Sequence, residues 1–183
     1  MKMSKQDMDD SHERIIRGAS RLFRERGIKS TSVADAMADA GMTHGGFYRH
    51  FKSKDELVEE ALKASFDEFA VSLESRLKTE PAAKVLDEYR TLYLSRAHLD
   101  NPGQGCPMPA MGGDLARETE EVKLAYGRGY NRVIDALALG MKGTPEQKRK
   151  AAMREIAMLV GAIVIGRASD AQSAEALLEA CRS

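Results

Sequence analysis

The sequence predicts an all-α protein of about nine helices. Apolar residues recur at i, i+3, i+4 and i+7 along most of the chain, and side-chain oxygens suited to N-capping precede several of these runs. No segment shows a convincing alternation of apolar and polar residues, and no two-residue hairpin turn separates two such segments.

Asp10 and Glu13 read as a capping pair for a first helix carrying Ile15, Ile16, Ala19, Leu22 and Phe23, which stops at Gly27. Thr31 and Ser32 can accept hydrogen bonds from free backbone N–H groups at the start of a second helix. Its apolar face is Val33, Ala36, Met37 and Ala40, and it ends at Gly41. Thr43 then caps a third short helix with Phe47 and Phe51 on one face, and residues 43–46 read alternatively as a simple loop. Ser53 and Glu56 form a further capping box that opens a long amphipathic helix to Lys78, about 37 Å at 1.5 Å per residue.

Pro81 breaks that helix, and Val85, Leu86, Tyr89, Leu92 and Tyr93 begin another. Seven of the twelve residues in 102–113 are Gly or Pro, which leaves room for one short helix with Pro107 in its first turn. Helical pattern resumes over 115–141, breaks at Gly143, Thr144 and Pro145, and returns over 146–169. A last helix covers 174–181. Residues 156–166 are apolar on every side, so one face packs within the chain and the other calls for a second apolar surface or for burial inside the monomer.

Composition narrows the function. The 183 residues are 31% charged and 43% hydrophobic with no Trp, and the longest stretch free of charge, Pro and His is far short of the ~20 residues of a bilayer span. Residues 1–10 are polar and lack the apolar core of a secretory signal. Cys106 and Cys181 lie too far apart in sequence to suggest a spaced metal site or a disulfide framework, so a cytoplasmic location is expected. Net charge is zero, yet residues 12–54 hold nine Lys/Arg against four Asp/Glu, a local balance of +5, while residues 55–183 balance at −4. A basic head on a mildly acidic body hints at a polyanion-binding end.

That head also has the right shape. Helix, tight glycine turn and short helix is the arrangement that presents the second helix to the major groove of double-stranded DNA. Gly45 and Gly46 cost about 1 kcal/mol each relative to Ala in a helix, and their missing side chains allow the backbone to approach bases and phosphates closely. Tyr, His and Lys are donors suited to phosphate oxygens.

The run from Thr31 to Leu57, TSVADAMADAGMTHGGFYRHFKSKDEL, resembles the N-terminal domain of the tetracycline-repressor (TetR) family. The resemblance spans about residues 12–66, and Gly45, Phe47, Tyr48, His50, Phe51, Lys54 and Leu57 are its specific part. Ala36 and Met37 depart from the family's usual order, and Gly46 replaces a commoner hydroxyl or small residue, which touches packing and operator choice. The resemblance implies a helix-turn-helix DNA-binding domain over 9–69 and a helical effector-binding and dimerisation domain over 70–183. It implies that Thr43, His44 and Gly46 face base edges and that Tyr48, His50 and Lys54 hold phosphates. Thr31, Ser32, Gly45 and Arg49 complete the expected DNA-binding set.

It further implies a homodimer on a pseudo-palindromic operator, with half-sites about one helical turn apart. The expected dimer interface is Met153, Ile156, Val160, Ile163, Val164, Arg167, Leu177 and Leu178. A small apolar or amphipathic effector is expected in the body, with Tyr89, Tyr93, Cys106, Met108, Met111, Leu115 and Tyr126 as candidate lining or as core.

Cys106 lies between Gly105 and Pro107 at an expected helix start. There it is either a thiol of lowered pKa that senses electrophiles or oxidants, or a buried packing residue. The leading reading is a DNA-binding transcriptional regulator, a repressor released by an effector. A helical interaction module without DNA activity leaves the basic head unexplained. His98, eight residues before Cys106, has no third orienting residue, so no enzyme is expected, and neither cofactor nor metal.

Overall fold

The computed structural model describes residues 5–182. Among these, nine α-helices and two 3-10 helices follow one another with no strand: α1 (Lys5–Arg26), α2 (Val33–Asp39), η1 (His44–Arg49), α3 (Lys54–Thr79), α4 (Ala82–Tyr93), α5 (Arg96–Asp100), η2 (Pro102–Gln104), α6 (Pro107–Leu115), α7 (Glu120–Gly140), α8 (Pro145–Ala168) and α9 (Ala171–Arg182). No described helix is long and apolar enough to cross a membrane.

Local chemistry sets the ends of these elements. Gly27 and Gly41 stop α1 and α2 at φ +86° and +71°, a left-handed conformation that glycine adopts without a Cβ penalty. Ser32 and Asp35 make a reciprocal capping box at α2, and Thr144 with Gln147 makes another at α8. Ser53 Oγ accepts from the N–H of Glu56, while the Glu56 carboxylate turns to the N–H of Lys52 instead of closing the box. The first helix starts at Lys5, ahead of the Asp10 expected to cap it. The break between α6 and α7 falls at residues 116–119, so Leu115 closes α6 and does not open α7. Helix α5, N-capped by Ser95, whose Oγ accepts from the His98 N–H at 3.1 Å, was not expected.

Two packed regions share α3. In the first, Ile15, Ala19 and Phe23 of α1 meet Ala36 and Met37 of α2, Phe47, Phe51 and the start of α3, all nearly or fully buried. The larger of these, Ile15, Phe23, Met37, Phe47 and Phe51, contribute roughly 1.5–3 kcal/mol of burial each. In the second, the long face of α3 lies along α7, where Gly129 lets the Phe66 ring approach so closely that a Cβ would enter it. Helix α8 then packs on α7 and α9 through Ile156, Leu159, Ile163 and Leu178.

That packing corrects part of the expected interface. Ile156, Ile163 and Leu178 are 3%, 0% and 0% exposed within one chain, so they belong to its own core. Arg167 is spent internally, donating from Nε to the Leu99 carbonyl and from Nη2 to that of His98. Met153, Val164 and also Ile165 are the exposed large apolar residues of α8, while Val160 and Leu177 are half-buried.

Candidate DNA-binding head and effector pocket

The head is built outward from Phe47. This ring is 1% exposed and lies 5.5 Å from Phe51, which in turn stacks on His12 of α1 at 4.6 Å. With Phe47 fixed inward, its neighbours face out: Thr43, His44, Gly45, Tyr48 and Arg49 are exposed, Tyr48 by 74%. Thr43, His44, Tyr48 and Arg49 make no side-chain hydrogen bond or ion pair among the described residues. The element they occupy is a 3-10 helix, closed by Gly46 N–H to Thr43 C=O at 3.0 Å and His50 N–H to Phe47 C=O at 2.8 Å. Two adjacent glycines and six residues leave too little propensity for the α-helix that was expected, and the tighter i→i+3 pattern takes its place. Thr43 occupies the N-cap position without a side-chain cap bond.

Other expected contacts are placed differently. Thr31 is fully buried, and its hydroxyl donates to the carbonyls of Gly27 (2.9 Å) and Leu22 (3.4 Å), so it serves the end of α1 and has no access to phosphate. Ser32 is exposed, but its hydroxyl is committed to Asp35, whose carboxyl is held below its ordinary range by those hydrogen bonds. Lys54 is half-buried and donates from Nζ to the Ile28 carbonyl at 2.6 Å, which leaves it two further N–H donors. His50 is half-buried, and burial, with His12 and Arg49 nearby, lowers its pKa. Gly46 meets only the methyl ends of Met37 and Met42, and Gly45 nothing at all.

The body contains a pocket of about 350 Å³ between α3, α4 and the α5–η2 turn. Phe69 and Leu73 of α3, Tyr89, Leu92 and Tyr93 of α4 give it an apolar wall, and His98, Asn101, Gln104 and Gly105 a polar one. Tyr89 and Tyr93 are therefore where expected. Cys106, Met108, Met111 and Leu115 are at most 3% exposed and form the core beneath the turn, and Tyr126 packs edge-on against Phe66, its phenol pushed up to about 12 by burial. None of these five lines the pocket. Burial also pushes the Cys106 thiol up, overriding the helix-start effect that was expected to lower it. The His98 ring accepts the Cys106 backbone N–H at Nε2 (3.1 Å) and contacts the Tyr93 carbonyl through Nδ1 (2.7 Å), which assigns Nδ1–H and a neutral imidazole; burial lowers its pKa. The imidazole thus holds backbone and does not activate the thiol. The Tyr93 hydroxyl is buried with no well-formed hydrogen bond, the Cys106 thiol being its polar neighbour.

Sequence reasoning passed over Arg24. Its Nε and Nη2 donate to the Gly103 carbonyl at 3.0 and 2.7 Å, and its Nη1 to Ser20 Oγ and Ser65 Oγ at 3.0 and 2.8 Å. The i, i+4 spacing to Ser20 was visible in the chain; a partner 79 residues away was not.

Residues 15–61 match the family model described as bacterial regulatory proteins, tetR family. Over 55 residues the chain is 40% identical to the HTH-type transcriptional repressor KstR2 of Mycolicibacterium smegmatis, covering 30% of this chain and 27% of that protein. Over 84 residues it is 33% identical to the HTH-type transcriptional regulator TtgR of Pseudomonas putida, covering 44% and 40%. The chain thus spans less than half the length of these relatives. In fold alone the likeness extends over most of the chain: reduced NemR of E. coli superposes with a TM-score of 0.79 at 18% identity over 94% of this chain and 93% of that one. A TetR-family regulator from Agrobacterium tumefaciens gives 0.75 at 20% identity over 96% and 97%. The head is thus similar in sequence to the tetR-family model, and the chain as a whole shares the fold of solved structures described as TetR-family regulators.

Proposed function

We propose that the protein is a homodimeric transcriptional repressor, not an enzyme, that acts in the cytoplasm and leaves its operator when a small ligand fills the body. A DNA-binding domain over 9–69 and an effector-binding and dimerisation domain over 70–183 divide the labour. The observation that carries the reading is the outward tip of η1, where Thr43, His44, Tyr48 and Arg49 present polar groups with no hydrogen-bond or ion-pair partner among the described residues. Groups that offer donors to solvent from a rigid aromatic base suit a hydrated polyanion, because contact replaces water without breaking any internal bond. Thr43, His44 and Gly46 read base edges, with Gly45 allowing close backbone approach. Tyr48, Arg49, His50 and the remaining Lys54 donors hold phosphates.

The dimer forms through the exposed apolar residues of α8, Met153 and Val164, with Val160 and Leu177 at the edge. The ligand is small and largely apolar with a hydrogen-bonding group. It is seated between Tyr89 and Tyr93 on one side and the polar wall on the other.

Selection of bound duplexes from the source genome with purified protein tests this directly. Binding is expected to weaken steeply with salt. Arg49→Ala should weaken all selected duplexes about equally and lower the log–log salt slope by about 1, whereas His44→Ala should change which duplexes are preferred. Failure of the protein to retain any genomic duplex at low salt overturns the reading.

A further inference from the structure

Head and pocket meet at one short turn. Asn101, Gln104 and Gly105 face the pocket, and Gly103, in the same turn, offers its carbonyl to Arg24 of α1. A Cβ at Gly103 would meet the Glu25 carboxylate of α1, and one at Gly105 would enter the His98 ring, so the turn lies against the head on one side and the pocket wall on the other. On the other side Arg24 reaches Ser65 of α3, whose hydroxyl donates on to the Ala61 carbonyl at 2.8 Å. One half-buried guanidinium therefore joins α1, the long helix and the pocket turn, and every acceptor it uses is a neutral oxygen. Leaving such donors unpaired away from water is costly, so a displaced Gly103 carbonyl pulls on Arg24 of α1.

We propose that Arg24 is a positioning residue that carries occupancy of the pocket to the head, coupling the pocket turn to α1 and to Ser65 of the long helix. The proposal rests on the regulatory reading above. A ligand that presses Asn101, Gln104 or Gly105 outward shifts the Gly103 carbonyl. The guanidinium follows it and tilts the C-terminal turns of α1, on which Phe23 and the base of the head are seated. Arg24 touches neither ligand nor DNA; it fixes the relation between the two regions.

Ala97, exposed at the pocket rim beside the turn, allows a test without the natural ligand, since Ala97→Phe places a ring in the pocket. Affinity of the full-length protein for a selected duplex is measured for Ala97→Phe in three backgrounds, with hydrogen exchange of residues 20–26 measured in parallel. With Arg24 present, Ala97→Phe should weaken the duplex about fivefold or more and speed exchange in α1. In Arg24→Gln the same substitution should change affinity less than about twofold and leave α1 exchange unaltered. Arg24→Lys, which keeps the charge but cannot hold three elements together, should behave like Gln; it also serves if Arg24→Gln does not fold. A purely structural role lowers stability in all variants but leaves the response to Ala97→Phe intact. Equal responses with and without Arg24, or no response with it, overturn the proposal. If no duplex binds at all, the repressor reading fails, and exchange in α1 still decides whether Arg24 transmits pocket filling.

Discussion

Gly45 and Gly46 sit in η1 with room for a side chain, whereas Gly103 and Gly105, in and beside η2, have none. Both segments are short 3-10 helices, yet what holds them differs. η1 is pinned by one buried ring, Phe47, and leaves its glycines facing open space or two methionine methyls. η2 is pinned through its backbone, between Glu25 and His98, with the Gly103 carbonyl tied to Arg24. At Gly45 nothing inside the described structure requires a glycine. Where the interior requires one, the segment is part of the frame. Under the proposals above, η1 is the surface that approaches DNA and η2 the joint that transmits displacement.

The heaviest blow to η1 is the loss of its single anchor. Phe47→Ala should cost about 3–5 kcal/mol in chemical denaturation and abolish duplex binding. Retention of near-native stability would mean that η1 is held by something besides this ring. For η2 the matching change is Gly105→Ala, which forces the His98 ring from its bond with the Cys106 N–H. A loss of about 1–3 kcal/mol is expected, read as a lower melting temperature.

A subtler probe is pH. The His98 pKa is lowered from 6.5 by burial, so the unfolded chain takes up the proton first. Stability should be full above about pH 6.5 and should decline as pH falls below that value toward the depressed folded pKa. His98→Gln should reduce the decline between about pH 7.5 and 5.5; His50, lowered in the same direction, supplies what is left. The smallest effect on stability belongs to Gly45→Ala. With nothing near its Cβ it should be neutral or gain up to ~1 kcal/mol while weakening duplex binding. Loss of stability there would show that η1 glycines serve the fold after all.

Much of this was legible in the chain because it is local. Helix ends at Gly27 and Gly41, the caps at Ser32, Ser53 and Thr144, and the apolar spacing that buries Phe47 and Phe51 all follow from neighbours within four residues, where backbone sterics and side-chain capping act. The basic, glycine-bearing head was legible for the same reason, since its exposed residues need no partner from elsewhere.

What the tertiary structure alone decided is direction and pairing. Thr31 and Ser32 are adjacent hydroxyls, and only the packing of α1 against α2 turns one fully inward. The all-round apolar stretch of α8 gives no hint which side is covered by its own chain; the fold buries Ile156 and Ile163 and leaves Val164 out. Cys106 reads as a thiol at a helix start, but burial outweighs that dipole. Arg24 reads as one basic residue among nine in the head. Its partner carbonyl is a backbone atom with no sequence signature, and it is reached only when α1, α3 and η2 converge. Periodicity and caps depend on the chain's near neighbours and are written in order along it. Burial and distant hydrogen bonds depend on which surfaces meet, and that is fixed only when the helices pack.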